Sequence, residues 1–189
     1  MNKAIDISNV VLNTPRLVLR PWRMDDIADF FEYAGVDGVG QMAGWLPHKC
    51  IEESEAVLKM FVEEKKTFAI EKNGKVIGSL GVEEYSEEEY PELDPMQGRE
   101  IGYVLSKDFW GQGIMPEAVR AVIEYLFEAE DLDFITVGHF DWNRQSARVV
   151  EKCGFKYMKT IKYETRYETV VNSMEYILYN PKRGNGYED

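Results

Sequence analysis

The chain has 189 residues, enough for one packed core, since a domain of this size buries roughly 70% of the surface its unfolded chain exposes. Apolar residues make up 44% and aromatics 13%, ordinary for a globular protein, while 34 Asp and Glu against 22 Lys and Arg give a net charge of −12. Such a field repels a phosphate backbone and so disfavours a nucleic-acid groove; it suits a cationic substrate, or serves solubility alone.

Residues 17–22 alternate in polarity after Pro15 and read as a strand ending at Pro21. Met24, Asp25 and Asp26 then open a helix, with Ile27, Phe30, Phe31 and Ala34 on one face and Gly35 as its stop. A glycine-rich connection, residues 35–44, leads to a second helix over residues 52–66 whose Leu58, Phe61 and Val62 share a face. Between them, Cys50 and the later Cys153 form no Cys-x-x-Cys pair, and His48 and His139 stand at no ligand spacing with them. Neither a disulfide framework nor a metal site is therefore expected.

Residues 67–71 and 76–85 read as strands of a hairpin, because Asn73-Gly74 favours the positive φ of a tight turn. Residues 86–98 are acidic, carry Pro91 and Pro95, and read as a solvent loop. Residues 99–106 form the next strand, where Gly102 marks either a bulge or a close backbone approach. After a glycine turn, a helix over residues 116–128 presents Val119, Val122, Ile123 and Leu126 on one face, and residues 134–140 return as a strand. Strand, turn, helix and strand make a βαβ unit with parallel strands. Asn143 caps a helix that ends at Cys153 with Gly154 beyond it, and strands over residues 156–164 and 173–179 follow. No apolar stretch approaches the ~20 residues that span a bilayer, and Met1 to Asp6 open no signal peptide. The cytoplasm is thus the expected compartment, with no membrane partner.

The turn Gly111-Gln112-Gly113 stands where a strand hands over to a helix. Amides there lack intrahelical acceptors and the helix dipole adds positive potential, so a diphosphate fits; a tight connection that binds nothing is the other reading. Gly-x-x-x-x-Gly-Lys-Ser/Thr is absent, and a Rossmann turn would want a small residue where Pro116 stands.

Trp110-Gly111-Gln112-Gly113-Ile114-Met115-Pro116-Glu117-Ala118 resembles the acyl-CoA pyrophosphate loop and following helix of the GNAT superfamily of N-acetyltransferases. Asn143-Arg144-Gln145-Ser146 with Glu151-Lys152-Cys153-Gly154-Phe155 resembles its second signature. Arg16-Leu17-Val18-Leu19-Arg20-Pro21 and Glu100-Ile101-Gly102-Tyr103 resemble strands of the branch that acetylates ribosomal-protein N-termini. The resemblance runs over nearly the whole chain. It implies an α/β (α+β) GNAT fold: one domain over residues 1–189 with a core at about 14–181 and short flexible termini. Its twisted, mostly antiparallel sheet of about seven strands would carry flanking helices and a central βαβ acyl-CoA unit. Trp110 and Met115 depart from the superfamily's Gln/Arg-x-x-Gly-x-Gly/Ala pattern, and Val150 holds a place where many relatives carry a tyrosine acid.

By that resemblance acetyl passes directly from acetyl-CoA to an amine, with no covalent enzyme intermediate and no metal. The acceptor is a small-molecule amine or a basic peptide N-terminus, and an exposed strand edge would support a homodimer. An alkyl ammonium, pKa near ~10, must first lose a proton, the oxyanion needs a donor, and the thiolate leaves better protonated. Glu100 is the first candidate for the base and Glu83 the second, with an exposed strand carboxylate as the alternative for each. Val104 or Leu105 would supply the backbone donor, and Ser146 the acid or a cofactor hydrogen bond. Trp110, Gly111, Gln112, Gly113, Ile114, Met115, Asn143 and Ser146 would contact the cofactor. Trp45, Trp110 and Trp142 are pocket walls or core, and residues 35–44 would shape acceptor specificity. A non-catalytic acyl-CoA-binding or sensing module is the alternative function.

Overall fold

Residues 1–183 are described by the computed structural model, so the last residues of the expected domain, 184–189, lie outside the described residues. In chain order the elements are β1 (Leu12–Asn13), β2 (Val18–Pro21), α1 (Ile27–Ala34), α2 (Ile51–Glu64), β3 (Thr67–Lys72) and β4 (Lys75–Glu83). There follow β5 (Gly98–Leu105), α3 (Ile114–Glu128), β6 (Phe134–Phe140), α4 (Arg144–Lys152), β7 (Lys156–Glu164) and β8 (Val170–Tyr179). They build one mixed sheet in the order β1-β2-β3-β4-β5-β6-β8-β7, antiparallel everywhere except between β5 and β6. Its eight strands exceed the expected number by one, because residues before 14 add β1.

Local chemistry explains most boundaries. Asn73 and Gly74 take φ of 53° and 78°, the left-handed pair that a two-residue hairpin needs. Asn143 accepts the Ser146 amide at 3.1 Å and caps α4, and Gly154 follows that helix at φ 85°. Met24–Asp26 opens the first helical run as expected, as a 3-10 turn leading straight into α1, with the Asp26 carboxylate accepting from Arg20 and from the Arg23 amide. Two expectations give way. No register shift occurs between β4 and β5 at Gly102; the bulge lies between β3 and β4 at Ile70/Glu71. Residues 86–98 are no plain solvent loop, because Tyr90 and Leu93 are buried against Tyr85, Phe134 and Ile177. The N-terminal segment is likewise packed: Ile7 is fully buried, its amide donates to Lys65 O, and Asn2 bridges to Gly98.

The sheet separates two cores. Ile101, Tyr103 and Leu105 of β5 pack with α3 and the inner side of α4, including Val119, Val122 and Val150. Val104 turns to the other face, among Trp22, Tyr33, Val39 and Leu58 from the α1 and α2 layer. This period-two alternation gives β5 one face toward each helical layer. No helix is long and apolar enough to cross a membrane among the described residues.

Candidate active site

Parallel pairing between β5 and β6 lasts only from Gly98↔Phe134 to Glu100↔Thr136. Beyond that point both strands continue unpaired with each other, and a cleft of about 760 Å³ opens between them. Its size is that of a small-molecule site. Ser106 donates its amide to Ile77 O of β4 at 2.8 Å, so the amides of Leu105 and Tyr103, one and three residues earlier, point away from β4 into the gap. The Val104 amide points toward β4. Leu105 is thus the better placed of the two expected backbone donors.

On the α3 side, the turn meets the cleft. Gly111 and Gly113 have φ of 75° and 72°, a left-handed pair that presents successive amides outward, and α3 begins at Ile114. Among the described residues no protein atom accepts from the amides of Gly111, Gln112, Gly113, Ile114 or Met115. Ile114 and Met115 are buried by their side chains, so the bulk of Met115 goes into the core and leaves the turn clear. Gln112 contributes only backbone, its side chain being folded onto Asp108 O. Trp110 donates its indole N–H to Leu105 O at 2.8 Å, and its ring packs on the core at the cleft wall.

Arg16 was not foreseen as part of this site. Its guanidinium donates to Gln112 O and Gly113 O and to the Glu117 carboxylate, clamping the turn from behind. Those bonds consume the carbonyls of the turn and leave its amides facing the cleft. Arg148 and Lys152 on α4 also line the cleft. Their spacing of four residues, on one helical face in a chain rich in acids, was the sequence signal for a cationic wall. A diphosphate therefore fits this side: free amides, a helix start and basic side chains converge.

Asn143 is buried, capping α4 through its oxygen while its Nδ2 donates to Met42 O at 3.2 Å. Ser146 lines the cleft one turn on, and its hydroxyl lies 2.8 Å from the Tyr103 hydroxyl. Burial holds the Tyr103 phenol well above its ordinary range, so it stays protonated at neutral pH. Val150, where a tyrosine acid was sought, is buried in the α3 core. Tyr103 brings a phenol to α4 from the facing strand instead.

The opposite face carries carboxylates. Glu100 sits at the last paired position of β5, where the cleft begins. Burial, and after it the negative charges of Glu175, Glu83 and Glu89, push its pKa up to about 7. Glu83, the second candidate, is engaged at 2.7 Å by Lys66 and so is not free to face an amine. The connection over residues 35–44 closes this side, with Val39, Met42 and Ala43 along the cleft. Gly44, at φ 84°, is approached so closely by Tyr163 and Phe140 that a Cβ there would lie 3.2 and 3.3 Å from their rings. Trp45 packs against Gly40 and His48 and does not reach the cleft, and Trp142 stays exposed beside Phe140. Gln112, Trp45 and Trp142 do not line the cleft; the other expected site residues do.

Comparison with known proteins agrees with this geometry. The acetyltransferase (GNAT) domain family matches residues 16–156. The uncharacterised N-acetyltransferase YoaA of Bacillus subtilis is 25% identical over 181 residues, covering 87% of this chain and 98% of its own. Among solved structures, a GNAT-family acetyltransferase from Bacillus anthracis superposes with a TM-score of 0.79 at 20% identity, covering 91% of this chain and 99% of that one. Ribosomal-protein-S5-alanine acetyltransferase from Vibrio fischeri gives a TM-score of 0.71 at 21% identity, with coverage of 91% and 97%. A fold with a parted central strand pair, a glycine turn free of protein partners and a family match over most of its length define the chain: it belongs to the GNAT acetyltransferases, which take acetyl groups from acetyl-CoA.

Proposed function

We propose that the protein transfers acetyl from acetyl-CoA to a primary amine by direct attack within a ternary complex. The observation that carries this reading is Glu100, a carboxylate with a pKa near 7, facing the gap between β5 and β6 across from the turn at residues 111–115. A base with that proton affinity is half ionised at neutral pH and takes a proton from an alkyl ammonium directly or through a water. The turn amides, with Arg148 and Lys152, hold the diphosphate of the donor, which supplies the acyl thioester when bound. Leu105 offers its amide to the carbonyl oxygen where negative charge develops. The Tyr103 and Ser146 hydroxyls, in contact with each other, form a short relay able to hand a proton to the departing sulfur.

Release of CoA from acetyl-CoA should depend on added primary amines and be followed with a thiol reagent across alkylamines, diamines and peptide N-termini. Calorimetry in parallel reads acetyl-CoA binding alone. Binding without turnover across the whole panel would replace this reading with that of an acyl-CoA-binding module, and absence of binding would end both.

A further inference from the structure

The cleft has one carboxylate more than proton removal requires. Glu175 on β8 stands opposite Gly138 of β6, which lies two residues beyond Thr136, the partner of Glu100. Glu100 and Glu175 therefore share a face, two strands and two residues apart, about 12 Å between their backbones. A Cβ at position 138 would sit 2.7 Å from both carboxylate oxygens of Glu175. The side chain thus lies across the bare backbone of β6, reaching toward the cleft that both glutamates line.

Glu175 is only 4% exposed, yet no Lys, Arg or His among the described residues comes within ion-pair distance of it or of Glu100. Its hydrogen-bonding partner is the buried Tyr90 phenol. Lys159, the lysine nearest that ring, stacks on it and bonds to Glu89 O instead. Lys162 is occupied by Asn172. Thr136, the β6 partner of Glu100, is fully buried with a hydroxyl that has no partner. Burying a carboxylate without a cation is costly, and a fold that keeps one beside a cleft leaves a place for a positive charge from outside.

A single ammonium does not use both carboxylates. Once Glu100 has taken its proton the attacking amine is neutral, and a second anion beside it gains little. A second ammonium, which never reacts, stays paired throughout. Tyr90, Phe140 and Tyr163 furnish aromatic walls for the methylenes between the two.

We infer that Glu175 selects the acceptor by binding a second ammonium, so that the preferred substrates are short aliphatic diamines and polyamines. The inference rests on the amine-transfer reading above and adds the substrate class to it. Competing steady-state assays with butylamine and 1,4-diaminobutane test it. In the wild-type protein the diamine should have the higher kcat/KM by about tenfold or more, the factor expected of one added charged contact. That ratio should fall to within about twofold in Glu175→Gln. Gly138→Ala, whose methyl group displaces the flexible end of Glu175, should lower it as well, giving a second variant should the first fold poorly. Equal use of the two amines, or a ratio kept by the variants, overturns the inference while leaving amine transfer standing. Turnover confined to peptide N-termini also overturns it. CoA release with no amine of any kind fails the parent reading, and this one with it.

Discussion

Glu100 carries two consequences that pull in opposite directions. Because its pKa lies near 7, catalysis that needs its ionised form should rise with pH through 7 and level off above. Glu100→Gln should lower kcat/KM by about 10²–10⁴ and erase that inflection, with acetyl-CoA affinity preserved. Stability runs the other way. The folded carboxyl holds its proton more tightly than the unfolded one, whose value is near 4.5, so its contribution is full below that pH and is lost as pH rises through 7. By pH 8 the loss amounts to about 3 kcal/mol. Thermal melts should therefore show Glu100→Gln more stable than wild type at pH 8, with the two converging at pH 4; a variant no more stable at pH 8 would mean that Glu100 is not buried against its charge. Glu100 could be picked from the sequence because it precedes the cofactor turn on one strand. Its partners could not, since Glu175 and Tyr90 reach it only through pairings across β6 and through the docking of residues 86–98.

At the level of single elements, the turn before α3 is the strongest test of the cofactor assignment. Gly113 has φ 72°, where an L side chain costs roughly 1–2 kcal/mol and a β-branched one is worst placed. A Cβ there would lie 3.6 Å from the Arg16 guanidinium, so space is not what forbids it. Gly113→Val should therefore keep the fold and reorient the amides, weakening acetyl-CoA binding by about tenfold in calorimetry. Unchanged affinity in a folded variant would remove the turn from the site. Glycines, Asn143 and the hairpin at Asn73-Gly74 were legible because each position demands a special backbone or cap. Arg16 was hidden by distance: its role depends on the link between β1 and β2 lying beside the start of α3, about a hundred residues away in the chain. Residues 86–98 misled for a related reason, since acids and prolines describe their outer side while Tyr90 and Leu93 fill the inner one.

For the molecule as a whole, the order of elements followed from periodicity and turn chemistry, whereas the extra edge strand and the buried Ile7 did not. A short polar N-terminal segment shows no periodicity of its own; it is held by the sheet it completes. The parting of β5 from β6 lies within a sheet that carries the α3 layer on one face and the α1 and α2 layer on the other. Turn amides, Arg148 and Lys152 stand toward the first layer, and Glu100 and Glu175 toward the second. A slit through a sheet has two mouths. Under the proposed function, donor and acceptor would each dock without waiting for the other to depart, so a sequential rather than a ping-pong scheme is predicted. Double-reciprocal plots of initial rate at several fixed amine concentrations should accordingly meet at a point; parallel lines would demand an acetylated side chain that this cleft has no need to form.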